Sequence, residues 1–544
     1  MMKSSTTRGV SLLAACMMLV GFIARVVPFT NRDGRLLREF PTEDGYLMLT
    51  IARNLAIGHG MSTAGGTIPT NGTQPLATFL WAACSFVVGG DKTATVAVVL
   101  VVQVIVATLT AAVIYKLACS VLRDTEAPTE GAMLAAAGWY AGSKVVSHTM
   151  NCLESGLYVL ILALVLVFAF RSTVVAAGPR IGQWAGLGAL LGVAFWARND
   201  AVLFCASLAL VHLVWGLPGA PSRPIHRFAE LAVAGTVVAV VASPWLVFNY
   251  THFGHVMPIS GQAESMDAPF ALNVNLIGPN LIAYMTTLPI PTPLTMVGWV
   301  AALSLVAIGV YVWGTWSLVR RSESDVARKA WLLGATTTAA FAAFYGLFFG
   351  APHFVSRYLF ALSPFYAVAW GALVRAAAIR LVRAPVVAGA GAFALVGVCV
   401  GLNLRLYQMG SRHPHFQCVA WVNANVPNDV WVGAPQSGTL GYFHDRTLNL
   451  DGKVNPLALE ALKERRRGEY IVESNAEYLV DWESLAWPLP AKFLTIGDPV
   501  VARAFEVVVD DPSLNLAVLR RRDTPAGLVV PPVNASAMSS NDAE

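Results

Sequence analysis

Charge is what this sequence has least of. Only 13% of its 544 residues are Asp, Glu, Lys or Arg, and 56% are hydrophobic, whereas about a quarter of an ordinary soluble domain is charged. That balance excludes a soluble globular chain. Ordered cysteine chemistry is missing too. Of the seven cysteines, Cys16, Cys84, Cys119, Cys152, Cys205 and Cys399 lie in apolar stretches and only Cys418 lies beyond them, so neither a disulfide framework nor a zinc pattern follows. No G-x-x-x-x-G-K-[ST] phosphate loop, HExxH or G-x-S-x-G elbow occurs, which leaves ATP-driven transport, zinc peptidase and serine hydrolase chemistry without sequence support. The glycine-rich stretches GLGALLG (186–192) and AGAGAF (388–393) sit inside apolar runs, where small residues let helices pack closely.

What is present is a series of apolar runs between residues 10 and 400, each needing about 20 residues to cross a bilayer as a helix. A polytopic membrane domain, residues 1–404, is therefore expected, followed by a soluble domain, residues 405–544, of mixed polar and apolar texture. Leu13-Ala14-Ala15 before Cys16 imitates a lipoprotein signal, but the apolar segment continues through Val27, which favours an uncleaved first span. The net charge of +5 is spread over short loops; it reports topology rather than nucleic-acid binding.

Placing Lys3 and Arg8 in the cytoplasm threads the rest. Span one covers roughly 9–28 and is followed by a long outer loop holding Asp33, Glu43, Asp44 and PTNGTQPL (69–76). Residues 76–90, only about 15, are too short to cross and read as a re-entrant or interfacial helix. Spans follow at about 93–122 and 131–150, and on through Arg171, Arg180, the loop of Arg223 and Arg227, a start near 292, and Arg375, Arg380 and Arg383. About eleven spans, with the N-terminus inside and the tail outside, satisfy nearly every basic cluster. Asp44, Glu154, Arg198, Asp200, His255, Glu264, His353 and Arg357 then gather at the outer face. That convergence is the main functional signal.

Each of these residues has a plainer reading. Thr42 can cap a helix whose first turn holds Glu43 and Asp44, since acids there complement the macrodipole. At helical spacing Glu43, Thr50 and Asn54 share one face and Leu47, Ile51 and Leu55 the next, so an amphipathic helix lying on the membrane surface is expected. Glu154, in NCLESGLY (151–158), can cap the following span or face a cavity, because an ionisable group at such a junction is costly against lipid. Arg198 and Asp200, in WARNDAV (196–202), can pair with each other, or Arg198 can hold a phosphate. Arg357, in HFVSRYLFALSPFY (353–366), can snorkel at the interface. Lys144 and His148 are weaker candidates for the same outer pocket. KERRRGEY (463–470) reads as a solvated helix face.

EDGYLMLTIARNLAIGHG (43–60) followed by PTNGTQPL resembles the first outer loop of the C-type (GT-C) glycosyltransferases, which take sugars from polyprenyl-phosphate carriers. In the aminoarabinose transferases and protein O-mannosyltransferases an acidic residue opens a juxtamembrane helix with an Ala-Arg-Asn-Leu-like run, and Asp44 stands where they place their catalytic aspartate. NCLESGLY is similar to the Asn-x-x-Glu-[ST]-x-Leu element, ARNDAV to Thr-Arg-Pro-Asp-Gly, HFGHVMPIS to a Phe-Gly-x-x-x-Pro segment, and SRYLFALSP to Arg-Tyr-x-x-x-x-x-Pro. GYFHDRTLNLDGKVNP (441–456) resembles a stretch in outer domains of relatives of the terminal arabinofuranosyltransferases. ARNDAV lacks the usual proline and glycine, and Lys453 replaces a common leucine.

The resemblance implies a polytopic α-helical GT-C-like fold of about eleven spans, with juxtamembrane helices in the first outer loop and a small C-terminal α/β extracytoplasmic domain. It implies transfer of a sugar to a glycan, lipid or protein acceptor of the cell envelope, with inversion. Asp44 would be the base, Glu43 its alternative, and Glu154 the third member of the catalytic group. Arg198, Arg357 and His353 would bind donor phosphate, and Tyr46, Asn71, Gln74 and Asp200 would line the acceptor pocket. Partners are the lipid-linked donor, membrane lipids and the acceptor, with no nucleic acid; no cofactor is implied, and a divalent metal stays open. A bacterial plasma membrane fits the spans. A transporter or lipid-linked glycan flippase is the alternative, though it would show paired repeats with ionisable groups near mid-membrane.

Overall fold

The computed structural model describes residues 2–30, 34–125, 128–171, 175–266, 268–286, 298–381, 385–410, 415–486 and 498–522. Asp33, Arg383 and the expected start of span eight near 292 lie outside them.

The apolar runs are helices. Among the described residues seven are long and apolar enough to cross a membrane: Thr7–Thr30, Lys92–Val121, Pro224–Phe253, Gly298–Ser322, Asp325–Leu347, Pro352–Leu381 and Val386–Tyr407. Shorter apolar helices, Ser155–Ala169, Ile181–Ala197 and Ala201–Trp215, stand where further spans were expected. The expected third span is two helices, Pro128–Ala141 and Ser143–Thr149, because Gly142 takes an extended backbone between them.

Small residues set the helix spacing. A Cβ on Gly188 would stand 2.6 Å from the Ala234 carbonyl oxygen, and one on Gly192 would stand 2.6 Å from Val241 Cβ. GLGALLG therefore packs Ile181–Ala197 onto Pro224–Phe253, as expected. AGAGAF does not behave that way: nothing stands within 4 Å of the Cβ positions of Gly389 and Gly391.

The first outer loop is built on the helix Glu43–Ala56, whose Thr42 cap accepts from Gly45 N at 3.1 Å. The expectation of a surface-lying amphipathic helix needs correction. Its polar residues Glu43, Thr50 and Asn54 are buried along with Leu47, Leu49 and Ile51. The short helix Pro75–Val87 covers one flank and the C-terminal domain another. The polar face of the sequence pattern is thus a protein interface, not a water-facing one.

The C-terminal domain is α/β, as expected. Strands β3 (Val432–Ala434), β4 (Thr447–Asn449), β5 (Tyr478–Asp481), β6 (Phe505–Asp511) and β7 (Leu516–Arg521) form one sheet in the order β4-β3-β5-β7-β6. The β4-β3-β5 half is parallel, with Val432 opposite Thr447 and Tyr478, and β7 pairs antiparallel with both β5 and β6. Strands β1 and β2, 62–63 and 68–69, form a small hairpin in the first outer loop. The last long helix, Pro385–Gly410, runs past the expected boundary at 405.

This domain sits directly on the first outer loop. Lys92 Nζ lies 3.0 Å from Asp445 Oδ1, and Arg53 reaches the same oxygen at 3.5 Å. Tyr442 donates to the Lys92 carbonyl at 2.7 Å. At Gly72 a Cβ would stand 2.0 Å from the Lys453 carbonyl oxygen, so only glycine permits that approach.

Candidate active site

Two adjacent acids opening one helix point different ways, since successive side chains on a helix are turned about 100°. Glu43 faces the C-terminal domain. Its carboxylate accepts from the Gly438 N–H, from the Thr439 N–H at 2.9 Å and from the Thr439 hydroxyl at 2.6 Å. Burial pushes its pKa above the usual carboxylate range, against those hydrogen bonds and with a further push from Asp44. It holds the start of the helix Gly438–Phe443 and does not line the cavity beside Asp44.

Asp44 faces that cavity, of about 140 Å³, between the first outer loop, the bundle and the C-terminal domain. Its Oδ2 accepts from Arg357 Nη1 at 2.8 Å. Burial alone would raise its pKa, but the charges of Lys453 and Arg357, with the Arg357 hydrogen bond, hold it below the ordinary value. Asp44 is therefore an ionised, half-buried carboxylate.

The other walls carry matched charges. Glu154, Glu264, Arg198, Arg357 and Lys453 join Asp44 in the lining, three acids against three bases. Arg198 Nη1 donates to Glu154 Oε1 at 2.9 Å and its Nη2 to Asp200 Oδ2 at 2.8 Å. Neither plain reading of this pair is complete: Arg198 does pair with Asp200, yet it also crosses to Glu154. Tyr345 donates to Asp200 at 2.5 Å and stacks on Tyr358, ring centroids 4.4 Å apart, while both arginines lie over the Tyr358 ring. Lys453 reaches in from the C-terminal domain, 2.8 Å from Glu264 Oε1. Burial disfavours its charge, but Asp44, Glu264 and Asp451 raise its pKa well above that of a free lysine.

Not every candidate reaches the cavity. Gln74 lines it, with a buried Oε1 that has no hydrogen-bond partner among the described residues. Tyr46 does not: it is fully buried, donates to the Leu37 carbonyl at 2.6 Å and packs against Tyr442 and Phe443. Asn71 is a buried strut, donating to Asn249 Oδ1 and accepting from Ile259 N, both at 3.1 Å. Asp200 stands behind Arg198 rather than in the lining. His353 is exposed, its ring tilted against that of Phe354, and outside the lining. His148 is packed against Phe360 and within 3.2 Å of Ser356, and Lys144 lines a separate small cavity. His255 is exposed.

The residues missed from sequence are Lys453, Tyr345 and Tyr358. Lys453 had a visible signal, a charge in a position otherwise apolar, and Tyr358 stood in the Arg-Tyr element after Arg357; Tyr345 had none. Among the described residues no group of three or more His, Cys, Asp and Glu side chains is placed to hold a metal ion.

Residues 403–517 match a family described as a domain of unknown function, DUF8728. A search of curated proteins finds no match. The fold is similar to solved structures over nearly the whole chain. ArnT from Cupriavidus metallidurans bound to undecaprenyl phosphate superimposes with a TM-score of 0.59 at 13% identity, over 94% of this chain and 98% of that one. Its apo state gives 0.57 at 14%, over 95% and 98%. The oligosaccharyltransferase AglB from Archaeoglobus fulgidus, in complex with an inhibitory peptide and a dolichol-phosphate, gives 0.52 at 12%, over 88% of this chain and 69% of that one. The chain has the GT-C fold, with a small sheet domain at its C-terminus.

Proposed function

We propose that this chain is a membrane glycosyltransferase that moves a sugar from a polyprenyl-phosphate donor to an acceptor of the cell envelope. The observation that carries the reading is the pairing of Asp44 with Arg357 at a cavity that Arg198 and Lys453 also line. A carboxylate beside three cations is what a displacement at a sugar phosphate needs. It is supported by the fold, since ArnT binds undecaprenyl phosphate and AglB a dolichol-phosphate.

In this reading Asp44 takes the proton of the acceptor hydroxyl as its oxygen bonds to the anomeric carbon. The bond from that carbon to the phosphate oxygen breaks in the same displacement, inverting the centre, and the polyprenyl phosphate departs with the electron pair. Arg357 and Arg198 face the charge that develops on the leaving phosphate, where a partly dry cavity strengthens their effect. Glu154 holds Arg198 in place, and Gln74 offers its amide to the sugar or acceptor. Glu43, Tyr46 and Asn71 keep the two domains and the loop together.

The donor's lipid stays in the bilayer, so the pocket opens at the outer interface of a plasma membrane, with the N-terminus inside. Sugar and acceptor are drawn from cell-envelope chemistry. A transporter would place ionisable groups at mid-bundle; here Glu154, Arg198 and Arg357 stand at helix ends. The test is transfer by the purified protein from a panel of polyprenyl-phosphate sugars to an envelope glycan. Transfer of any one sugar supports the reading; transport of the lipid-linked donor without transfer contradicts it.

A further inference from the structure

A larger cavity, about 650 Å³, lies at the other end of the bundle. Glu154 precedes the helix Ser155–Ala169 and lines the site of Asp44, while Phe170 follows it and lines this second cavity. The two are therefore separated by about 22 Å of helix, at 1.5 Å per residue. The second cavity is walled by apolar side chains such as Leu117, Leu166, Leu281, Ile308 and Phe365. Its volume falls within the roughly 300–1,000 Å³ typical of sites for small molecules.

Its polar groups are unequal in sign. Arg321, Arg375 and Arg380 line it, with Asp124 the one acid of the lining among the described residues. Arg321 and Arg380 are exposed at its mouth. The Arg375 side chain is only 12% exposed and is ion-paired with Glu130, whose Oε2 stands 3.7 Å from Nε, too far for a hydrogen bond. The other carboxylate oxygen of Glu130 accepts from the Thr7 hydroxyl at 2.7 Å. Nε and Nη1 of Arg375 donate to no group among the described residues. A guanidinium left with unmet donors beside an apolar cavity is costly. A phosphate diester meets that need, because the arginine fork matches two of its oxygens.

We propose that this cavity binds an anionic phospholipid, its phosphate held by Arg375 with Arg321 and Arg380 and its acyl chains lying along the apolar wall. The threading by basic loops assigns these arginines to the inner face, where anionic lipids attract cationic residues. The site is a helix length from Asp44, so its lipid is not the sugar donor, and the inference stands apart from the proposed reaction.

The full-length protein in detergent is titrated with phosphatidylglycerol and with phosphatidylcholine, and bound lipid is counted by native mass spectrometry. A preference of roughly tenfold for phosphatidylglycerol is expected, as a charge-assisted pair supports. Arg375→Gln should abolish it. Because Arg375 also faces Glu130, Arg380→Gln, at an exposed position, is the second variant; it should weaken the preference several-fold with the melting temperature unchanged. Equal retention of the two lipids, or a preference that survives both variants, overturns the proposal. So does displacement by millimolar inorganic phosphate, which would make the site one for a free anion. Stronger retention of undecaprenyl phosphate, lost in the same variants, would assign the site to the donor lipid and also overturn it.

Discussion

Arg357 Nη1 lies 2.8 Å from Asp44 Oδ2, joining residues from the first outer loop and from a segment far along the chain. The pair keeps the carboxylate ionised and, in the proposed reaction, sets a guanidinium beside the leaving phosphate. Each follows from the same charge. Arg357→Gln should therefore lower transfer by ~10²–10³-fold and weaken binding of undecaprenyl phosphate. Arg357→Lys, which keeps the charge but not the fork, should recover only part of either. Binding by isothermal calorimetry beside a transfer assay checks both; unchanged donor affinity in Arg357→Gln would remove it from the phosphate site.

Lys453 is the foremost charge depressing the Asp44 pKa. A base works only when ionised, so if Asp44 acts as proposed, activity is lost as pH falls through its folded pKa. Lys453→Met should raise that pKa and move the acid limb of the kcat/KM profile to higher pH. A profile that drops in height without shifting would mean that Lys453 acts elsewhere than on Asp44.

Glu43 predicts a structural phenotype. Glu43→Ala leaves the Gly438 and Thr439 N–H groups without their acceptor, at about 1–3 kcal/mol for each buried group left unmet. The C-terminal domain should loosen, read as faster proteolysis between the domains and a lower melting temperature. Glu43→Gln, which keeps an acceptor oxygen, should lose less. Full stability in Glu43→Ala would show that the contact is incidental.

Asp481 gives the domain a pH dependence. Burial, against the Gln436 and Trp482 N–H donors and with a push from Glu43 and Asp451, raises its pKa to about 7. The folded value lies above the unfolded one, so its stabilisation is complete below about pH 4 and is lost as pH rises through 7. The melting temperature of Asp481→Asn should fall less between about pH 5 and about pH 8 than that of the wild type. Parallel curves for the two would place the titration on another group.

Metal removal is expected to leave transfer intact. Three cations of the chain face the cavity, and its acids are each engaged by one of them. Activity that falls on chelation and returns with one divalent ion would assign a metal to this cavity.

Much of this was legible in the sequence because it depends on long, strong patterns. Apolar runs fix helices wherever a bilayer forbids other backbone, and the ends of those runs single out Asp44, Glu154, Arg198 and Arg357, which line one cavity. What the sequence hid are contacts between distant segments. The polar face of Glu43–Ala56 looked like a water-facing one, and only the docked C-terminal domain shows Glu43 and Tyr46 to be interface residues. Asn71 has the composition of a pocket residue and the contacts of a strut. Lys453, set apart from Asp44 by most of the chain, reaches the site through the domain interface.

The central claim is that Asp44, not its neighbour, is the base. The most direct measurement compares sugar transfer by the wild type and Asp44→Asn, using the donor that the panel identifies, with undecaprenyl-phosphate binding and melting temperature as controls. The account predicts a loss of ~10²–10⁴-fold in transfer while folding and lipid binding persist. Transfer by Asp44→Asn at the wild-type rate would contradict it.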